Sequence, residues 1–505
     1  MKIVVDFFDI LYKFGATVLI PVIIILIALV LRLKPDKAVK AGISVGVSLI
    51  GLTLIANLLG SNLSGIGQLI IERNEYTSAI TDVGWQVSVA ISNLSRIGVY
   101  IIPMCVLLNI IMLLTKTTRT INLDIWNFWQ ASFVGAMVDN LTGNMTFGII
   151  AAVVTMAVIL VIADNTAVHT EKYLGLEGIS LPHGFAVAFA PIAFAVNKLL
   201  DLIPGYKNIV ISLKNLRKIA GYAASPAPIA LVIGILLGII SGKSVYSTAQ
   251  LAVIMAAVVV LLPKVIEVLK EGLAPVTHRI QAFAEKKLHM QGKLYLGMSG
   301  TLALGNPTVL LVSMILAPFS IYLANILPGN GLMPGPDIVM LPYVVIFCVA
   351  IARGDLIRSL VGGVVSLIAM FYAGTAMAEL FTKTVLVSNV GDYAQAGIVS
   401  NLCASASPIT WAVVNANLYG IAGAALLIVA AVALLVWNRN QITGGVKLYV
   451  RQTKTIRASH IEAVETEPEV LPPVPDMNLE RLEDHKKPVQ ALPPEEHGDT
   501  LEKGK

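Results

Sequence analysis

Apolar runs close to twenty residues long recur along most of this chain, and only a lipid bilayer makes so many of them compatible with one fold. They fall at about 14–32, 41–60, 97–114, 127–143, 145–163, 226–241, 246–263, 300–325, 338–352, 359–376 and 413–437. An α-helix needs ~20 apolar residues to cross the hydrocarbon core. Each run is therefore read as a span, the shorter ones at 226–241 and 338–352 being extended by their flanks. Composition agrees: 56% of residues are hydrophobic and 13% charged, against about 25% charged in soluble domains. The fold class that follows is an all-α polytopic membrane protein. The net charge of +5 is gathered into a few loops, which is how topology is written, so no nucleic-acid partner is expected.

Those loops orient the spans. Arg32, Lys34, Lys37 and Lys40 place the first connection in the cytoplasm and the N-terminus outside. Further inside clusters are Lys116 with Arg119; Lys207, Lys214, Arg217 and Lys218; Lys264, Lys270, Arg279, Lys286, Lys287 and Lys293; and Arg353 with Arg358. The acidic loop with Glu72, Glu75 and Asp82, and the base-free connection from Pro328 to Asp337, suit the outside. Arg439, Lys447, Arg451, Lys454 and Arg457 put the C-terminus inside. An odd number of spans is required, and about eleven satisfies every cluster. The N-terminus, with Asp6 and Asp9 and no small-residue cleavage site, reads as a retained span and not a cleaved signal.

Two apolar stretches are left over. Gly184 to Ile203 begins and ends between cytoplasmic clusters, so it is expected to dip into the membrane and return. Gly397 to Trp411, broken by Ser405, Ser407 and Pro408, reads as a second re-entrant segment. Non-helical backbone at membrane depth is tolerated only inside protein or beside a water-filled cavity. Each such piece follows a set of five spans, and an odd-numbered unit is inverted when duplicated. Inverted repeats with broken segments near the midplane mark transporters, with the breaks at the substrate. The expected layout is a membrane domain over 1–438, with repeats at about 14–204 and 226–437, and a tail over 439–505. Glu462, Glu465, Glu467, Glu469, Pro472, Pro473 and Pro475 give that tail the composition of cytoplasmic disorder.

Ionisable groups within such a membrane region are functional candidates. "LEGISLPHG" sets Glu177 and His183 at the start of the first re-entrant piece. A carboxylate and an imidazole suit a polyhydroxylated ligand. They also suit a proton leaving a hydroxyl that attacks a phosphoryl donor. Alternatively, Glu177 caps a helix or pairs with Lys172. In "SPITW", Ser407 and Thr410 are placed to bond hydroxyls, while Trp411 either stacks on a sugar or anchors at the interface. Asp82 in "TDVGW", and Asp124 and Asn127 in "NLDIWNFW", are headgroup-level anchors or ligand contacts. Asp139, Asn140 and Asn144 either line a polar cavity or cap helix ends, and Asn306 in "ALGNPT" faces the same choice. Cys105, Cys348 and Cys403 form no CxxC pair, and no metal or cofactor is expected.

With these motifs in view, the chain resembles the membrane-spanning IIC subunit of the galactitol family of the bacterial phosphotransferase system. "DVGW", "MLLTKTTRTINLDIWNFW", "LEGISLPHG", "LAVIMAAVVVLLPKVI", "RGDLIR" and "SPITW" carry the likeness, which runs from near the N-terminus to about Trp437. The resemblance implies a homodimeric carrier of the ascorbate–galactitol group in a bacterial cytoplasmic membrane. Each protomer would have a dimerising scaffold and a mobile, elevator-like core with two re-entrant hairpins. It further implies a cytoplasmic IIB protein whose phosphocysteine phosphorylates the substrate on uptake, fed by a IIA protein. By the same likeness Glu177 and His183 are sugar-site residues faced by Ser407 and Thr410, with Asp82 and Asn127 nearby. Asp139 and Asn306 depart from the histidines expected of a galactitol carrier, which leaves another polyol or a ketohexose open as substrate. The competing class is a proton- or sodium-coupled secondary transporter, with Glu177, Asp139 and His183 as a proton relay.

Overall fold

A computed structural model describes residues 16–206, 209–287, 293–391, 393 and 397–465. Asp6, Asp9, Lys207 and the acidic, Pro-rich end from Glu467 onward lie outside the described residues. So do the side chains of Lys286, Lys287, Lys447, Arg451, Lys454 and Arg457. The chain divides into two compact units, Met1–Lys447 and Leu448–Lys505. In the second, the described residues are helical.

The helices of the first half are α1 (Ala16–Val30), α2 (Pro35–Arg73), α3 (Trp85–Leu94), α4 (Gly98–Leu114), α5 (Trp126–Thr142), α6 (Met145–Leu174), α7 (Gly184–Val187) and α8 (Ala190–Leu200). Those of the second are α9 (Leu213–Ala220), α10 (Pro226–Ile240), α11 (Val245–Lys287), α12 (Pro307–Ile326), α13 (Leu341–Ile351), α14 (Leu356–Ser388), α15 (Pro408–Asn417) and α16 (Gly420–Glu465). Six of them (α2, α6, α11, α12, α14 and α16) contain stretches long and apolar enough to cross a membrane. The number rises to eight if the bent pairs α3–α4 (93°) and α9–α10 (69°) are each one span.

Small residues let the long helices approach. A Cβ at Gly42 would lie 2.4 Å from Ile25 Cγ1, so α2 packs directly on α1. At Gly234 a Cβ would fall 2.6 Å from the Ala252 Cα, and at Gly272 one would fall 2.5 Å from the Ser44 Cβ. Those glycines seat α11 against α10 and α2, as small residues do where apolar solvent supplies no hydrophobic drive between helices.

The run read as one span over 413–437 is interrupted. α15 stops at Asn417 and α16 restarts at Gly420, whose φ of +65° suits glycine. Helix also continues past residue 439, where the tail was expected to begin. Asn438 and Ile442 are buried, and the sequence has no proline between there and Pro468 to stop the helix.

Between the helices, the described residues form five short strands: β1 (Ile80–Asp82), β2 (Thr120–Asn122), β3 (Ile179–Ser180), β4 (Tyr295–Gly297) and β5 (Ile398–Ser400). β4 runs parallel between β2 and β3, with Gly297 opposite both Asn122 and Ser180. β1 runs parallel to β5, with Asp82 opposite Ser400, and Ile80 also bridges to Leu332. Strand pairing satisfies the amides where the helices break, which backbone within a membrane domain requires. In each group the central strand comes from one half of the chain and its neighbours from the other.

Candidate functional site

Beyond β1 the backbone turns at Gly84, whose φ of +81° is open to glycine. The turn folds the Asp82 carboxylate back on the chain. Its Oδ1 accepts from Gly84 N at 3.0 Å, and its Oδ2 accepts from Gly335 N and Asp337 N at 2.9 and 3.1 Å. Asp337 repeats the device, taking Trp85 N on Oδ1 at 2.7 Å and Cys403 N on Oδ2 at 2.9 Å. Asn401 closes the third side, donating to Ser88 Oγ and to the Gly84 carbonyl while accepting from Ala404 N and Ser405 N. Three loops distant in sequence are thus joined by buried carboxylates and an amide. Charge-assisted bonds to backbone N–H groups are the strong kind.

The other strand group carries a matching arrangement. Asp124, fully buried after β2, accepts from Trp126 N on Oδ1 at 3.1 Å. Its Oδ2 lies 3.2 Å from His183 Nδ1. Asn127 takes Gly184 N on Oδ1 at 2.9 Å and donates from Nδ2 to Asn122 Oδ1. The His183 ring stands 4.9 Å from the Tyr343 ring and is backed by Gly300, where a Cβ would come within 3.1 Å of it. Tyr343 in turn shares a 2.9 Å hydrogen bond with Thr301. With Nδ1–H donated to Asp124, Nε2 is the ring nitrogen left for another partner, an assignment made from the neighbouring carboxylate.

That Nε2 is buried and has no hydrogen-bond partner among the described residues. Asn122 Nδ2, Trp129 Nε1, Ser407 Oγ and Thr410 Oγ1 share this state. Ser407 and Thr410 open α15, which packs on α5, α6 and α14, and α5 carries Asn127 and Trp129. Leaving a buried polar group unpaired costs about 1–3 kcal/mol. Donors and acceptors of this kind match hydroxyl groups, each of which can both give and take a hydrogen bond. Trp85, Trp126 and Trp129 form an aromatic cluster beside them, with ring centroids 5.3–6.4 Å apart. Among the described residues there is no group of metal-ligating side chains.

The structure does not bring Glu177 to His183. Glu177 is 83% exposed, 3.9 Å from Lys293, on a cavity of about 190 Å³ that Lys270, Thr277 and His278 also line. The ion-pair alternative therefore describes it, with Lys293 in place of Lys172. Gly175 and Gly178, both at positive φ, flank Glu177, and the second turns the chain from its surface position into the buried β3. Asp139 is occupied by Arg96, whose guanidinium donates to both its oxygens at 2.7 and 3.2 Å. Asn306 caps α12 through Thr308 N and Val309 N and donates to the Tyr173 carbonyl. Asn144 caps α6, Asn140 donates to Ser388, and Trp411 is 46% exposed. Asp337, Tyr343 and Thr301 were not singled out in the sequence.

Comparison with known proteins adds to this geometry. Residues 9–394 match the family model EIIC-GAT, described as "PTS system sugar-specific permease component". The chain is 32% identical over 435 residues to the "Putative permease IIC component" of Escherichia coli (strain K12), covering 86% of this chain and 99% of that one. It is 31% identical over 401 residues to the "PTS system galactitol-specific EIIC component" of the same strain, covering 79% and 88%. The protein of that name from Escherichia coli O157:H7 gives the same figures.

Proposed function

Because this chain belongs to the EIIC-GAT family of PTS sugar-specific permease components, we propose that it carries a sugar alcohol, galactitol or a close analogue, across the membrane. A phosphocysteine on a separate IIB protein, recharged by IIA, then phosphorylates the substrate. The observation that carries the reading is His183: a buried imidazole fixed through Nδ1 by Asp124, with its Nε2 unpartnered. It sits at the break between β3 and α7, close to where β2, β3 and β4 pair. We assign His183, Asp124, Asn127, Asn122, Asp82, Asp337, Ser407 and Thr410 to the substrate region, and Glu177 to its charged rim. Alditol hydroxyls supply the donors and acceptors those atoms lack, and the tryptophan cluster suits C–H faces. A phosphate ester meets the Asp124 carboxylate as a like charge, which favours release once phosphorylation has occurred.

An inverted-repeat carrier accounts for the strand pairing. If the halves are related by a two-fold axis in the membrane plane, β4 flanked by β2 and β3 corresponds to β1 flanked by Leu332 and β5. Under that relation Asp124 with His183 corresponds to Asp337 with Cys403, three residues beyond Ser180 and Ser400. About eleven spans, a homodimer and an elevator-like core complete the proposal. Uptake by membrane vesicles tests it. Group translocation requires phosphoenolpyruvate and the soluble partners and delivers phosphorylated alditol. Accumulation of unmodified sugar driven by a proton or sodium gradient would instead support a secondary transporter.

A further inference from the structure

The segment entering α10 has no role in the substrate region. α9 reads LKNLRKIA, and its 3.6-residue period puts Leu213, Leu216, Ile219 and Ala220 on one side and Lys214, Asn215, Arg217 and Lys218 on the other. None of its residues is buried. Ile219 is 84% exposed, and Tyr222, in the 3-10 turn Gly221–Ala224 that follows, is 73% exposed. The axis then bends by 69° into α10. The outer face of α10, with Val232, Leu236, Ile239 and Ile240, is exposed and apolar as a lipid-facing span must be. No acidic residue occurs between Ile209 and Ile240.

We propose that α9 lies in the membrane interface and binds anionic phospholipid headgroups through Lys214, Arg217 and Lys218. The occupant follows from three features together. The aliphatic side continues the lipid-facing surface of α10, the bend lies at the end of that span, and the opposite side carries only bases and an amide. An amphipathic helix of this kind buries its apolar face at the headgroup–acyl boundary, and bases near an anionic surface add attraction. Tyr222 has the amphipathic ring enriched at that depth.

The anchor has a mechanical connection to the first hairpin. Ile211 N donates to Asp355 Oδ2 at 2.6 Å, and Leu356 N donates to the Ile211 carbonyl at 2.8 Å. Arg358 donates to Asp201 at 2.7 Å and to the Tyr206 carbonyl at 3.2 Å, its guanidinium 4.9 Å above the Tyr206 ring. Headgroup contact at α9 therefore holds the chain that leaves α8 and the start of α14 at one level of the bilayer.

The native cysteines are buried, so a single Ile219→Cys can carry a fluorescent label in the full chain reconstituted in vesicles. In phosphatidylcholine with a minor fraction of phosphatidylglycerol, spin-labelled phosphatidylglycerol is expected to quench the label more strongly than spin-labelled phosphatidylcholine. The preference should fall on the order of fivefold for each of Lys214→Gln, Arg217→Gln and Lys218→Gln. Equal quenching by the two lipids would overturn headgroup recognition. Quenching by aqueous iodide alone would overturn the interfacial position. Protection from both quenchers would mean that a second copy of the chain covers the helix, and overturns it too. None of these outcomes depends on the substrate or the partner proteins, so they leave the transport proposal untouched.

Discussion

Asp124 Oδ2 stands 3.2 Å from His183 Nδ1, with both side chains buried. The carboxylate orients the ring and leaves Nε2 without a partner among the described residues. Asp124→Asn removes the charge and offers an amide that reverses the preferred tautomer. A hydrogen bond to a charged group contributes about 1.5–3 kcal/mol. Affinity for the transported alditol, measured by calorimetry on purified protein, is expected to fall roughly tenfold to a hundredfold, with a smaller change in thermal stability. Undiminished affinity would take the pair out of the substrate region.

Asp82 holds the amides of Gly84, Gly335 and Asp337. Asp82→Ala leaves all of them without that acceptor, at about 1–3 kcal/mol for each one that stays dry. Asp82→Asn keeps one acceptor oxygen but points an NH₂ at amide donors, so it rescues little. Thermal unfolding in detergent should show both variants several degrees below the parent. An asparagine variant as stable as the parent would mean that the negative charge is not what joins these loops.

Asp164 fixes β2 from behind. It accepts from Arg119 N, from Thr120 Oγ1 at 2.8 Å and from Asn438 Nδ2 at 2.8 Å. Asn438 also donates to the Thr117 carbonyl and accepts from Asn165. In a double-mutant cycle on unfolding free energy, Asp164→Asn and Asn438→Ala should couple by about 0.5–3 kcal/mol. Additive losses would show that α16 and β2 are held independently.

The polytopic, mostly helical character could be read from hydropathy, because helix length is set by bilayer thickness and needs no knowledge of tertiary partners. The break at Ser405, Ser407 and Pro408 was legible because serine and proline clustered in an apolar run are poor helix formers, although isolated prolines are accommodated inside α1, α4, α11 and α12. The pairing of loops was not. Asp337 lies in a stretch that reads only as a base-free connection, and its value comes from Trp85 N and Cys403 N, far away in sequence. Glu177 shows the converse case. Only five residues stand between it and His183, yet an exposed carboxylate beside Lys293 and a buried ring beside Asp124 lie on either side of β3. Sequence proximity cannot distinguish them, because strand and turn geometry decide which neighbour turns inward.

That difference can be measured. Glu177→Gln alters a side chain 83% exposed, and a surface ion pair contributes about 0–1 kcal/mol. Alditol affinity should stay within about twofold of the parent. His183→Ala, made in parallel, should lose at least tenfold. A Glu177→Gln variant that loses affinity as severely as His183→Ala would place the carboxylate in the substrate region after all.

Gly300 tests the site without touching a polar atom. A Cβ there would lie 3.1 Å from His183 Cδ2 and Cγ and 3.2 Å from its Cβ, while Tyr343 occupies the ring's surroundings 4.9 Å away between centroids. The imidazole must give by a few tenths of an ångström, and Cδ2 is bonded to Nε2, the atom proposed to meet the substrate hydroxyl. Overpacking of this kind costs about 1–3 kcal/mol. Gly300→Ala is expected to weaken alditol binding about tenfold while lowering the unfolding temperature by only a few degrees. Gly300→Ser, with nearly the same bulk plus a hydroxyl able to reach Nε2, should bind no better. Parent-like affinity in Gly300→Ala would mean that the position of the His183 ring does not set recognition.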